Sequence, residues 1–271
     1  MGSRYARRSV FFLLFMGWVV FNFYGCGNKN INIRGMPSED QFAYAKMLFD
    51  KKDYYKAKMQ FNIIVMNNPG SAIIEKAQFY LAESYYYSKE YILAIEEYEK
   101  FIRSLPRSAF VDDAQYKIGM CYINLAPGYA LDQEYTVKAS AQFQRFLEEY
   151  PDSELKPEAE KRMYECREKL AKKEYKTGEL YRKMGYYNSA IISYDAVIEK
   201  YYDTEFADDA QFWKGECYRK MWDWEHSEKA FSDLLSKYGE SVWAKKAREK
   251  LHDVRMKKNS VPKEDSGGFH L

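Results

Sequence analysis

Helix breakers are scarce in this chain: 7 Pro and 14 Gly among 271 residues. An all-β domain of many strands needs turn residues more densely than that, so long helices are the better expectation. Histidine is scarcer still. His226, His252 and His270 stand far apart, and none shares metal-ligand spacing with a cysteine. Nor is one charge in excess. The 42 Lys+Arg face 40 Asp+Glu for a formal net charge of +2, which leaves no basic footprint for nucleic acid. The sequence lacks a Gly-rich phosphate loop, a G-x-S-x-G elbow and an H-E-x-x-H helix. The carboxylate pairs Asp112-Asp113 and Asp208-Asp209 precede helical patterns, where negative charge favours the N-terminal dipole, a structural role. The sequence implies no catalysis, no cofactor and no metal.

Long apolar runs are missing as well, with one exception. Residues 10–25, VFFLLFMGWVVFNFYG, follow Arg4, Arg7 and Arg8 and end at Cys26. A basic segment before a short apolar one is an export signal, and 16 residues fall short of the roughly 20 that span a bilayer as a helix. The Gly25-Cys26 junction is similar to a bacterial lipobox, although Phe23 and Tyr24 stand where that pattern has Leu and a small residue. We read residues 1–25 as a lipoprotein signal peptide, Cys26 as the lipidation site and residues 26–38 as a flexible tether. An uncleaved anchor helix and an ordinary secretory peptide are the other readings of this segment. Acyl chains on Cys26, at about 0.8 kcal/mol per buried methylene, would hold the protein on a membrane. The remaining cysteines, Cys121, Cys166 and Cys217, are odd in number and widely spaced, which is no disulfide framework. Each suits a small buried hydrophobe.

Aromatics are what the chain has in plenty: 26 Tyr, 17 Phe and 5 Trp. They recur with a register. DAQYKIGMCY at residues 113–122 is echoed by DAQFWKGECY at 209–218. The tetratricopeptide pattern places a small residue at position 8 and an aromatic at 11 of a first helix, then Ala at 20 and an aromatic at 24 of a second, with Pro often at 32. YAKML with AKMQF, LAESY with AIEEY, IGMCY with ASAQF, TGELY with AIISY, and KGECY with SEKAF fit it five times. Positions 8 and 20 lie 12 residues apart in four repeats (45→57, 82→94, 178→190, 215→227) and 20 apart in the third (119→139), an eight-residue insertion within NLAPGYALDQE. Pro69, Pro106 and Pro151 close the first three repeats; Tyr202 and Gly239 stand at that place in the last two.

The predicted fold is all-α, an α-solenoid of five tetratricopeptide hairpins over residues 39–258. The repeats run over about 39–72, 76–109, 113–154, 172–205 and 209–241, with a linking helix at 157–174, a capping helix at 244–258 and a disordered tail at 259–271. The segment 157–185 has no Gly or Pro between Glu158 and Thr177 and suits one long helix across the junction of repeats three and four. A single hairpin cannot bury such rings, so stability comes from stacking neighbours.

The export signal, Cys26 and five repeats together resemble the BamD family, outer-membrane lipoproteins of the Gram-negative β-barrel assembly machinery. The likeness is best in KRMYECREKLAKKEYKTGELYRKMGYY, residues 161–187, where an Arg-to-Glu run over 162–174 leads through LAKKEY into the fourth repeat. FIRSLP at 101–106 is similar to the family's second-repeat ending, and the likeness extends over about residues 40–250. The resemblance implies a scaffold on the outer membrane, lipid-anchored and facing the periplasm. Its C-terminal repeats would hold the barrel-forming subunit BamA and its N-terminal repeats the C-terminal strand of unfolded outer-membrane proteins, with further BAM lipoproteins as partners. The competing assignment is another lipid-anchored tetratricopeptide adaptor, one that recruits periplasmic proteases or peptidoglycan enzymes.

First-helix positions 2, 5, 9 and 12 line the inner face of such arrays. Position 5 is aromatic throughout: Phe42, Phe79, Tyr116, Tyr175 and Phe212. Phe42, Phe79 and Tyr116, with Phe49 and Tyr86 at position 12, form the candidate client-peptide groove, because rings give large contact area at low entropy cost. Tyr175, Phe212, Arg182, Arg219 and Trp222 form the candidate partner-protein face. The plainer reading of the position-5 rings is packing against the next hairpin. That of Arg182 and Arg219 is pairing with Glu179 and Glu216 one turn earlier. Trp222 is the candidate anchor and Trp224 a packing residue.

Overall fold

The computed structural model describes residues 35–67 and 70–260. The signal peptide, Cys26, most of the proposed tether and the tail from residue 261 lie outside the described residues. Eleven α-helices and no strand occur among the described residues. They are α1 (Ser38–Asp50), α2 (Tyr54–Asn67), α3 (Ile74–Tyr87), α4 (Tyr91–Ser104), α5 (Val111–Leu125), α6 (Glu134–Glu149), α7 (Lys156–Lys183), α8 (Tyr187–Lys200), α9 (Phe206–Lys220), α10 (Trp224–Lys237) and α11 (Ala244–Ser260). Each packs chiefly on its neighbours in sequence, the quasi-one-dimensional order of a solenoid. Five apolar clusters, one per hairpin, each join a hairpin to the helix that follows it.

The repeat letters have a direct steric meaning. The position-24 rings Phe61, Tyr98, Phe143, Tyr194 and Phe231 are all fully buried, each facing the small residue at position 8. A Cβ added at Gly119, Gly178 or Gly215 would stand 2.7, 2.7 and 2.8 Å from the rings of Phe143, Tyr194 and Phe231. Real Cβ atoms do not approach so closely, so the ring occupies the room of the missing methyl.

Four of the five turns inside the hairpins share a C-cap. Lys52, Lys89, Gly185 and Trp222 have φ of 62, 64, 82 and 64°. The following amide donates back to the first helix at 2.9–3.0 Å, as in Asp53 N–H to Leu48 O and Asp223 N–H to Tyr218 O. This is the Schellman closure, which needs one left-handed residue. Gly185 meets that need without strain, whereas a bulky side chain such as Trp222 does not.

The links between hairpins also repeat. Ser108, Ser153 and Ser241 donate their hydroxyls to Glu75, Asp112 and Asp208 at 2.6, 2.7 and 2.5 Å. Asp112 and Asp208 thus staple the loop that closes their own repeat, besides standing in a helix first turn. Helix α8 ends at Lys200 without a proline; Thr204 folds back on the Tyr201 carbonyl at 2.8 Å.

The third repeat's insertion is an ordered loop at 126–133. Buried Gln133 organises it, donating to the carbonyls of Gly128, Leu131 and Asp132 at 2.8–3.2 Å and accepting from Thr136 at 2.7 Å. Lys173 donates to Leu131 O at 3.0 Å and Lys172 covers the Tyr129 ring at 4.9 Å, so the loop is fastened to α7. Helix α7 runs unbroken through 28 residues, about 42 Å at 1.5 Å per residue. Its first half closes hairpin 3 and its second half opens hairpin 4. Cys121, Cys166 and Cys217 are free and buried, and burial pushes their thiols up to about 12, 11 and 12.

Candidate protein-binding faces

The structure corrects the proposed position-5 ladder. Phe79, Tyr116 and Tyr175 are each 8% exposed and Phe212 not at all. Phe79 stacks on Phe110 at 4.9 Å, Tyr116 meets Phe143 at 5.6 Å, Tyr175 meets Phe206 at 5.5 Å and Phe212 stacks on Trp243 at 4.2 Å. These rings are packed inside the stack, Tyr116 within its own hairpin and the others against the segment that follows, and offer a partner almost no open face. Phe42, in the first hairpin, is half-buried against Phe61 and Tyr80 at 5.7 and 5.8 Å.

Position 12 behaves differently. Phe49 and Tyr86 are partly open and belong to one aromatic patch on hairpins 1 and 2. Phe49 contacts Tyr80, Tyr54 and Tyr87 at 5.3, 5.4 and 5.5 Å. Tyr54 and Tyr87 stack at 5.4 Å, and Tyr86 meets Tyr87 edge-on at 5.3 Å. Tyr87 is 44% exposed. Two cations frame the patch: Lys46 lies 5.2 Å from the Tyr80 centroid, and Lys117 lies 4.7 and 5.2 Å from those of Tyr86 and Tyr87. Tyr54, Tyr80, Tyr87 and Lys117 were not among the candidates from sequence. The run Tyr85-Tyr86-Tyr87 is the signal that could have found part of the patch.

Beneath it lies a buried polar network. Tyr98 donates to Glu83, and Lys117 pairs with Glu83 at 3.0 Å. Burial opposes the charge on Lys117, but Glu83 outweighs it and raises the lysine pKa. Burial, reinforced by Glu83, holds the Tyr98 phenol well above its ordinary value. Lys117, held by Glu83, therefore lies fixed beneath one partly open ring, Tyr86, and one exposed ring, Tyr87.

Hairpins 4 and 5 present the other face. Arg219 closes on Glu216 with two bonds of 2.9 Å. The matching pair in hairpin 4 does not form, since Glu179 is taken by Lys176 and Lys183 at 2.8 and 3.0 Å. Arg182 instead covers Trp213, 3.8 Å from the ring centroid. Trp222 is 74% exposed and touches Trp224 edge-on at 5.5 Å. Among the described residues no group of His, Cys, Asp and Glu has metal-site geometry, and no helix is long and apolar enough to cross a membrane.

Residues 34–229 match the family YfiO, described as an outer membrane lipoprotein. The chain belongs to the YfiO family of outer membrane lipoproteins, the family of BamD. The match takes in hairpins 1 to 4, α9 and the first turns of α10. Helix α11 and Cys26 lie beyond it. The LAKKEY segment in α7 falls within it, as do both faces just described. No curated protein matches the chain in sequence.

Solved structures with similar helical stacks include a tetratricopeptide repeat protein from Parabacteroides merdae, at 15% identity over 82% of this chain and 73% of that one, TM-score 0.35. Another is a thermophilic tetratricopeptide protein of Thermus thermophilus, at 15% identity over 81% and 100%, TM-score 0.34. A third is the type IV pilus biogenesis factor PilW, at 14% identity over 80% and 98%, TM-score 0.37. The fold of this YfiO-family chain rests on its own helices.

Proposed function

We propose that this protein is a non-enzymatic adaptor of outer-membrane protein assembly, anchored through a lipid on Cys26 and facing the periplasm. Hairpins 1 and 2 receive the C-terminal strand of an unfolded β-barrel client, and hairpins 4 and 5 hold the barrel-forming subunit BamA beside the other BAM lipoproteins. Membership of the YfiO family supports the setting. The observation that carries the client role is the partly open patch of Phe49, Tyr54, Tyr86 and the exposed Tyr87, framed by Lys46 and Lys117, which pair with Asp50 and Glu83. An extended peptide ending in an aromatic residue and a carboxylate suits it, the ring on the tyrosines and the charge near a lysine.

A dye-labelled peptide copying the last strand of an outer-membrane β-barrel protein, followed by fluorescence anisotropy, tests this reading. Tyr87→Ser and Phe49→Ala should each weaken binding about tenfold or more, as hot-spot aromatics do. Circular dichroism should keep its helical signal. Equal affinity in folded variants would move the client site elsewhere.

A further inference from the structure

Among the described residues the non-glycine residues with positive φ are Lys52, Lys89 and Trp222, at 62, 64 and 64°, and all three stand at the tips of turns inside hairpins. Glycine takes that conformation without strain, as Gly185 does at the fourth turn. The three side chains are exposed, so packing does not offset the strain. Strain held at an exposed place points to a contact outside the chain.

Each of these turns closes a first helix, so stacking sets the turns along one edge of the solenoid and the links between hairpins along the other. Neighbouring turns meet there. Tyr54 stacks on Tyr87 at 5.4 Å, Asn124 donates to the Tyr86 hydroxyl at 3.4 Å, and Lys257 near the end of α11 lies 5.3 Å from the Trp224 centroid. Further tips are apolar and exposed: Leu131 in the third turn, Met184 and Tyr186 in the fourth. The charge left over on this edge is positive. Asp50, Asp53, Glu90, Glu134 and Asp223 are paired with Lys46, Lys56, Lys58, Lys138 and His226. Lys51, Lys52, Lys89, Lys220 and Lys257 are exposed and enter no ion pair among the described residues, against the open carboxylates of Asp132 and Glu225. The helix dipole favours lysine at such C-terminal ends, but it explains neither the positive φ nor an exposed indole at the fifth turn.

Indole and phenol tips set among unpaired lysines are the composition that a membrane–water interface selects. The rings sit at headgroup depth, and ammonium groups are drawn to anionic lipid. The chain belongs to a family of outer membrane lipoproteins, so such a surface is at hand. We propose that the turn edge docks on anionic phospholipid, with Trp222 and Tyr186 entering the headgroup layer and Lys52 and Lys89 lying over lipid phosphates. The solenoid then lies with its turns on the bilayer and its links turned away, and its inner face is left to protein partners. The inference does not rest on which proteins that face holds.

The test uses the full chain reconstituted on vesicles of acyl-brominated phosphatidylcholine, with or without an equal part of phosphatidylglycerol. Bromine quenches an indole that reaches the acyl boundary and leaves one in water bright. Tryptophan emission should be quenched more strongly when phosphatidylglycerol is present, and that added quenching should be lost in Trp222→Gly, a variant the turn accepts. It should also fall in the double variant Lys52→Gln, Lys89→Gln. Raising salt from about 0.1 to about 1 M, which shortens the screening length from about 10 to about 3 Å, should reduce it too. Circular dichroism should show the same helical signal throughout. The same quenching with and without phosphatidylglycerol, or added quenching that persists in folded Trp222→Gly, would overturn the proposal. So would a lipid-insensitive Trp222 whose emission shifts when detergent-solubilised BamA is added, the mark of a protein interface at this edge. Client-peptide anisotropy is read without vesicles on hairpins 1 and 2, so failure here is distinguishable from failure of the adaptor reading.

Discussion

Gly119→Ala changes one hydrogen to a methyl in the middle of a helix. At an open position that exchange stabilises by about 1 kcal/mol, because alanine loses less backbone freedom on folding. Here the sign should reverse. The new Cβ would lie 2.7 Å from both Cε1 and Cζ of Phe143 and 3.1 Å from Cε2. Phe143 is fully buried and held against Tyr116, so it has nowhere to swing. Overpacking a filled core costs about 1–3 kcal/mol, which exceeds the propensity gain and leaves a net loss of up to about 2 kcal/mol.

The assay is urea unfolding followed by far-ultraviolet circular dichroism, with a midpoint lowered by about 0.5 M for an m-value near 2 kcal/mol/M. A double-mutant cycle sharpens it. Phe143→Leu removes the ring atoms in question, and on its own it costs about 1–2 kcal/mol through lost volume. The double variant should be more stable than the sum of the single losses, by about 1 kcal/mol of favourable coupling. A Gly119→Ala protein that melts above the wild type, or two effects that simply add, would refute the steric account of position 8.

The turns make an opposite pair. Gly185→Ala places a Cβ at φ 82° and should lower stability by about 1 kcal/mol, while Trp222→Gly relieves the same conformation and should not lower it; reversed melting temperatures would contradict this. Asp203 accepts from Arg167 Nε at 3.0 Å and from its Nη2, and Arg167 also donates to the Lys200 carbonyl at 2.8 Å. The Arg167 hydrogen bonds hold the Asp203 carboxyl below its ordinary 3.8. A depressed folded-state value means the stabilisation is present above 3.8 and is lost as pH falls through the lower value. The wild type should therefore lose more stability on acidification than Asp203→Asn, the two converging at low pH. Parallel curves would remove the pair from the account, and partial exposure of both partners keeps the effect small.

The repeat architecture was legible because helix geometry fixes its spacing. Small residues at position 8 and rings at 24 can recur at fixed intervals only if hairpins stack. The same periodicity could not say how far a ring turns inward. Position 5 reads as inner-face from its helical phase, yet the segment and helix that follow each hairpin come close enough to cover Phe79, Tyr116, Tyr175 and Phe212.

Pairing was equally hidden. Glu179 and Glu216 stand at the same repeat position before Arg182 and Arg219, but Lys176 and Lys183 hold the first at 2.8 and 3.0 Å, whereas Lys250 comes only to 3.9 Å of the second and leaves it to Arg219. The partly open patch likewise draws on three elements, with Tyr87 more than thirty residues from Phe49 and Tyr54. Nor did the letters NLAPGYALDQE show that Gln133 would gather three carbonyls, or that Lys172 and Lys173 would fasten the loop to α7.

The most direct measurement of the adaptor claim is affinity capture of the tagged full-length protein from detergent-solubilised cell envelopes. The account predicts that BamA co-purifies with the wild-type chain, which also incorporates a palmitate analogue that Cys26→Ala does not. Reproducible capture without BamA, or with periplasmic proteases or peptidoglycan enzymes in its place, would contradict it.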